Sequence, residues 1–362
     1  MVGAARGSNS VVAHVVGARP NFVKAAPVWR ALADLGVPQK LIHTGQHYDP
    51  ELSAVFFRDL RLAPPDTQLD SPAHLEGALA RLAPDLVVVY GDVDSTLAAA
   101  LAARSLEIPV AHVEAGLRSF DLSMPEEVNR IEVDKRSTLL FTTSPEAADN
   151  LAAEGIDLGS VHFVGNPMID TLLGSLDRLG LTVAAATPGA SGPYAVATIH
   201  RQSNVDAAAD AARVVEALAT VAARVTVLLP LHPRGREMLE SAGLGGVAEL
   251  TVLPPLGYLE FLSLVRGAAL VVTDSGGVQE ETTMLDVPCL TLRANTERPI
   301  TISHGTNRLV SAATVGAAVD EILAGGTHFT TERPPLWDGR AGERIAAVIA
   351  TRLSSAYLRR NQ

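Results

Sequence analysis

Leu270-Val271-Val272-Thr273-Asp274-Ser275-Gly276-Gly277-Val278-Gln279-Glu280-Glu281 decides how this chain is read. The first four residues make a buried strand, and the residues after Gly277 carry a helical pattern. A strand that ends in Ser-Gly-Gly and turns into a helix leaves unpaired N–H groups at the helix N-terminus. Those groups, with the positive end of the helix dipole, seat a phosphate, and the glycines let the backbone come close to it. Glu281 lies about one turn into the helix, where a carboxylate reaches the two hydroxyls of a ribose. The stretch reads as a nucleotide diphosphate seat; the competing reading is an ordinary strand–loop–helix turn.

Outward from this stretch, strand-type runs alternate with helical patterns along all 362 residues. The first half has runs at Val11–Val16, Lys40–His43, Leu86–Tyr90, Val110–Val113 and Leu139–Thr142. Behind the first run, Phe22, Val23, Ala26, Val28, Trp29 and Leu32 fall at helical spacing. The uninterrupted Val/Leu character suits parallel strands buried on both faces. The pattern restarts at Tyr194–Ile199 and continues through Val225–Leu229, Leu250–Leu253, Leu270–Thr273 and Cys289–Leu292. Between the halves, 180–192 is rich in Ala, Pro, Gly, Ser and Thr and reads as a crossing. The expectation is two doubly wound α/β domains, 1–179 and 180–341, followed by a terminal helix in 342–362.

Composition narrows the partners. A formal net charge of -11 makes a poor nucleic-acid binder, so local cations must hold any phosphate. One cysteine, Cys289, excludes an internal disulfide framework and a cysteine metal cluster. No stretch approaches the roughly 20 apolar residues of a membrane helix, and residues 1–10 lack the apolar core of a signal peptide. A cytoplasmic protein without membrane partners is expected.

In open α/β sheets ligands bind beyond the carboxyl ends of the strands. The residues there are Arg19, Lys24, Gln46, His47, Asp92, Glu114, Arg118, His200, Arg201, His232, Arg234 and the stretch from Ser275 to Glu281. Two facing domains would enclose them in one cleft. Gly17-Ala18-Arg19-Pro20 is not G-x-G-x-x-G, so the usual NAD fingerprint is missing. Arg19 and Lys24 have two readings, neutralising a diphosphate or standing as solvated surface charges. Asp92, Glu114 and Glu126 emerge near strand ends or a helix start. Each alone could cap a helix or pair with an arginine; three together suggest proton transfer. Glu127 is the weaker candidate, because two adjacent helical residues point apart. His200 reads either as a phosphate donor or acid, or as a neutral hydrogen-bonded histidine. His43 and His47 have the spacing of a zinc pair, but Gly45 intervenes and no Glu follows His43, so no metal is expected.

Ten stretches in register, GARPNFVKAAPV, HTGQHYD, YGDVDSTLAAA, HVEAGLRSFD, MPEEVNR, VGNPMID, TIHRQSN, HPR, TDSGGVQEET and TERP, resemble the non-hydrolysing UDP-N-acetylglucosamine 2-epimerases. The resemblance runs from Gly17 to about Val310. It implies a glycosyltransferase-B-like fold, two Rossmann-like domains facing a central cleft, in a homodimer whose C-terminal helix crosses back to the first domain. It implies a UDP seat at Ser275, Gly276, Gly277 and Glu281, with Phe261 against the uracil and His232 close by. Arg19, Lys24, His200 and Arg298 match positions that handle the diphosphate or departing UDP. Asp92, Glu114 and Glu126 match the catalytic carboxylates, and Arg118 and Arg130 match neighbours that fix them.

The activity implied is reversible inversion at C2 of UDP-N-acetylglucosamine to UDP-N-acetylmannosamine, through elimination of UDP to a 2-acetamidoglucal and re-addition. No cofactor is required. Five positions depart from the common bacterial pattern: Asn21 replaces Glu, Gln202-Ser203 replaces Arg-Glu after His200-Arg201, Asp49 replaces the second Gln of Gln-His-x-Gln, and Ile300 replaces Glu after Glu297-Arg298-Pro299. In many bacterial members the Gln-His-x-Gln segment helps hold an activating substrate molecule, so its loss predicts that such activation is absent. Competing functions are a hydrolysing relative that releases free N-acetylmannosamine and UDP, a UDP-sugar glycosyltransferase of the same fold, and a nucleotide-sugar-binding regulator.

Overall fold

The computed structural model describes residues 10–46, 50–179, 192–201, 204, 207–231, 233–326 and 332–360. The chain divides into two compact units, Met1–Gly174 with Pro335–Gln362, and Ser175–Pro334. The expected crossing at 180–192 falls almost wholly outside the described residues.

Among the described residues, the first unit holds a seven-stranded parallel sheet. Its strands are β1 (Val12–Val16), β2 (Gln39–His43), β3 (Thr67–Gln68), β4 (Leu86–Tyr90), β5 (Val110–Ala115), β6 (Leu139–Thr142) and β7 (Val161–Phe163), in spatial order 3-2-1-4-5-6-7. The second unit holds β8 (Tyr194–Thr198), β9 (Thr226–Pro230), β10 (Leu250–Leu253), β11 (Leu270–Thr273), β12 (Cys289–Leu292) and β13 (Asn307–Val310), in order 10-9-8-11-12-13. Both are Rossmann orders: the winding reverses between β1 and β4, and again between β8 and β11. The central strands β1, β4, β5, β11 and β12 are buried along their whole length, as their unbroken apolar character requires. Three strands were not foreseen. β3 and β7 are two and three residues long at the sheet edges, and β13 is a half-exposed edge strand with Arg308 in it. Such strands carry too few apolar positions to stand out.

The terminal helix, Ala341–Arg360, packs on helix Arg19–Asp34 within the first unit. Asp170 accepts from the N–H groups of Ala341 (3.1 Å) and Gly342 (2.7 Å), satisfying two of that helix's orphan donors. The buried Trp337 Nε1 donates to the Thr143 carbonyl at 2.9 Å. Gly342 lies against the other helix so closely that a Cβ would stand 2.7 Å from the Pro27 carbonyl oxygen. No helix among the described residues is long and apolar enough to cross a membrane.

Gly342→Ala tests this packing. Alanine gains at most about 1 kcal/mol of helix propensity, whereas overpacking costs about 1–3 kcal/mol. Thermal unfolding should therefore show a lower Tm, and a raised Tm would contradict the close approach.

Candidate active site

In the first unit the carboxyl ends of β1, β4 and β5 meet at the reversal of winding. Helix Arg19–Asp34 follows β1 after the turn Gly17-Ala18. The side chain of Asn21 fixes that turn: its Oδ1 accepts from Gly17 and Ala18 N–H, both at 3.0 Å, and its Nδ2 donates to the Tyr90 carbonyl at 2.7 Å. The Asn that departs from the family pattern is thus a structural tie between β1 and β4. Lys24, one turn later, is only 3% exposed. Its Nζ contacts Glu114 Oε1 at 2.7 Å, so the solvated-surface reading does not hold for Lys24. Arg19 is half-buried, with its guanidinium 5.6 Å from the centroid of Phe56.

Glu114 is 1% exposed and has φ +75°. Its register shift within β5 interrupts the pairing with β6 and turns its side chain toward Lys24. Gly91 makes room for the pair, since a Cβ there would meet Lys24 Nζ at 2.9 Å. Asp92, next in the chain, pairs with Arg130. Arg130 is among the largest fully buried side chains and also contacts Glu127 Oε2 at 2.9 Å. Buried cations therefore hold both Asp92 and Glu114 in place.

Glu126 and Glu127 open helix Pro125–Arg136 and separate as expected. Glu127 is buried and accepts from the N–H groups of Ser119 (2.9 Å) and Phe120 (3.0 Å). It is a cap for the preceding loop. Glu126 is half-exposed. Arg118 forms ion pairs with Asp134 (2.7 Å) and Glu154 (2.7 Å).

Asp134 was not foreseen. It is fully buried, contacts His112 Nδ1 at 2.6 Å and accepts from Gly116 N–H at 3.1 Å. Burial would push its carboxyl up, yet His112 and Arg118 hold it below the ordinary range. His112 Nε2 in turn donates to the Gly91 carbonyl at 2.8 Å. The chain Glu154–Arg118–Asp134–His112 thereby grips Gly91 and Gly116, which flank Asp92 and Glu114.

In the second unit the candidate residues gather around the stretch from Asp274. Helix Gly276–Leu285 begins after Ser275, whose side chain makes no cap hydrogen bond, so the first turn's N–H groups are available to an anion. Gly276 is required here, because a Cβ would fall on the Arg298 guanidinium. Arg298 is buried between Glu297 (2.5 Å) and Glu280 (2.9 Å). Glu297 also pairs with Arg201 at 3.0 Å and Arg293 at 2.7 Å. Three guanidiniums against two carboxylates stand beside the helix N-terminus, an arrangement that favours a bound anion. Ile300, where the common pattern has Glu, is buried.

Glu281 is 5% exposed. Burial pushes its carboxyl up to about 8, opposed by a hydrogen bond with Tyr258 and reinforced by Glu280. Phe261 is half-buried, packed against the cluster of Tyr194, Leu264 and Val278. Gly277 is half-buried at the helix start. His200 lies at the end of β8 with 56% of its side chain exposed. His47, His232 and the side chain of Arg234 lie outside the described residues.

A family model described as UDP-N-acetylglucosamine 2-epimerase matches residues 30–350. The chain is 38% identical to a UDP-2,3-diacetamido-2,3-dideoxy-D-glucuronate 2-epimerase of Pseudomonas aeruginosa, covering 93% of this chain and 98% of that one. It is 36% identical to a UDP-N-acetylglucosamine 2-epimerase of Methanocaldococcus jannaschii, covering 92% and 97%. The crystal structure of the Methanocaldococcus jannaschii enzyme in complex with UDP-GlcNAc and UDP superposes with a TM-score of 0.87 at 35% identity, over 94% of this chain and 99% of that one. The two Rossmann-like units are thus those of a glycosyltransferase-B-like fold.

A raised carboxyl pKa carries a stability cost. Glu281 titrates near 8 in the fold and near 4.3 when unfolded, so its contribution is full below about pH 4 and lost as pH rises through 8. Ribose hydroxyls, which the sequence reading places at Glu281, would donate to the ionised form, so on that reading UDP affinity should rise over the same interval. Glu281→Gln should raise Tm at pH 8, at about 2–4 °C per kcal/mol regained, while weakening UDP binding measured by calorimetry. An unchanged Tm and unchanged affinity would contradict the assignment.

Proposed function

Because the chain belongs to the UDP-N-acetylglucosamine 2-epimerase family, we propose that it interconverts UDP-N-acetylglucosamine and UDP-N-acetylmannosamine by eliminating and re-adding UDP. The C2 hydrogen of the sugar has no carbonyl beside it and is not acidic. It becomes removable as the C1–O bond to UDP breaks, because cationic character at C1 acidifies the neighbouring C–H. The C1–O electron pair leaves with UDP, a carboxylate takes the C2 proton, and C1=C2 forms. Re-addition of UDP to C1, with a proton delivered to C2 from the opposite face, completes the inversion.

The observation that carries this reading is the division of labour among the acids. Asp92 and Glu114 are each paired with a buried cation, Arg130 and Lys24, and Glu126 remains half-exposed at a helix start. Proton removal and proton return on opposite faces call for more than one such group. Ser275, Gly276, Gly277 and Glu281 take the UDP, with Phe261 at the base. Arg19, Lys24, Arg298 and His200 serve the departing diphosphate.

A second reading concerns the sugar alone. The 38% identity to the diacetamido-glucuronate epimerase makes a 2,3-diacetamido uronate a substrate to be tried beside UDP-N-acetylglucosamine. We also propose a homodimer, since Phe120, Leu122 and Val128 stand exposed on one segment of the first unit, and a cytoplasmic site of action. Activation by a second substrate molecule is proposed to be absent, so the rate curve should be hyperbolic; a sigmoidal curve would count against it.

Asp92→Asn, Glu114→Gln and Glu126→Gln should each lower turnover about 10²–10⁴-fold while UDP affinity stays within experimental error. Glutamine at 114 retains an acceptor for Lys24 Nζ, which limits the structural loss. Normal turnover in all three would remove the mechanism as assigned.

A further inference from the structure

Asp274 has no task in the reaction as set out above, yet it is wholly buried immediately before the phosphate seat. Its carboxylate accepts from the backbone N–H groups of His200 (3.1 Å) and Arg201 (2.9 Å) and from Asn204 Nδ2 (3.0 Å). Oδ1 lies 3.0 Å from His200 Nδ1. From the other side, Arg201 Nε donates to the Asp274 carbonyl at 3.0 Å. β8 and β11 are parallel neighbours with Thr198 opposite Thr273, and the two threonine hydroxyls are 2.6 Å apart. The loop after β8 is therefore clamped onto the residue that leads into Ser275.

Backbone N–H groups alone would be satisfied by an asparagine or serine. A buried negative charge is costly, and here burial pushes the carboxyl up while His200, Asn204 and the Arg201 N–H outweigh it and hold it at about 2. An ionised carboxylate only accepts hydrogen bonds, so Nδ1 of His200 carries the hydrogen and the ring plane is set from behind. The same ring keeps more than half of its surface exposed. A histidine gripped at one nitrogen and presented at its outer edge is the arrangement a phosphate oxygen requires.

We propose that Asp274 is a positioning residue: it fixes the tautomer and orientation of His200 and the path of the Arg201 backbone, so that the imidazole meets the diphosphate seated at Ser275. This rests on the reading that His200 serves the departing diphosphate.

A double-mutant cycle on Asp274→Asn and His200→Ala tests it, with kcat on UDP-N-acetylglucosamine, UDP affinity and Tm measured for all four proteins. Asp274→Asn alone should lower kcat on the order of 100-fold. In the His200→Ala background it should lower kcat no further. Losses that multiply would overturn the proposal and mark Asp274 as merely structural. An unchanged kcat in His200→Ala would overturn it for a different reason, because the role of His200 itself would be gone. Should Asp274→Asn fail to fold, ¹⁵N spectra of the histidine rings in the unmutated protein decide the matter, with the His200 signal assigned by its loss in His200→Ala. Hydrogen on Nδ1 is expected; a bare Nδ1 overturns the proposal.

Discussion

A parallel sheet whose winding reverses leaves two loops pointing apart at the reversal, and that opening governs everything else in this protein. In the first unit the reversal lies between β1 and β4, and in the second between β8 and β11. Lys24 and Asp92 follow the first pair; His200 and Ser275 follow the second. Each loop must be held without secondary structure of its own. Buried side chains do the holding: Asn21 ties β1 to β4, Asp134 and His112 grip Gly91 and Gly116, and Asp274 ties the loop after β8 to β11.

Beside these hydrogen-bonded ties stand largely buried ion pairs. Desolvating such a pair offsets much of its attraction, and removing one partner costs about 3–5 kcal/mol. The Lys24–Glu114 and Arg130–Asp92 pairs are therefore weak as sources of stability and strong as sources of position. Glu281 shows the same trade more openly, a buried carboxyl pushed up to about 8 at the place where a ribose is expected. That carboxyl stays neutral up to about pH 8, and the stability it gives at acid pH is surrendered as pH rises toward that value.

Much of this was legible in the residues. Ten strands announced themselves through unbroken Val and Leu runs, because a parallel strand covered on both faces admits little else. The edge strands β3, β7 and β13 did not, being short or half-exposed. Ser275, Gly276 and Glu281 stood out because the strand–Gly–Gly–helix pattern has a local cause. Pairings did not stand out. An arginine in sequence does not name its acid, and Arg118 reaches Glu154 across 36 positions and Asp134 across 16. The role of Asp274 is not legible in its motif, since the four groups it gathers come from residues at least 70 positions earlier.

The central claim is that the C2 hydrogen leaves and returns while UDP departs and is recaptured. Proton NMR of the purified protein with UDP-N-acetylglucosamine in D2O, without added NAD or metal, tests it most directly. The account predicts that UDP-N-acetylmannosamine appears and that both nucleotide sugars gain deuterium at C2. Epimerisation with the original C2 hydrogen retained would contradict it, as would accumulation of free N-acetylmannosamine and UDP in place of the second nucleotide sugar.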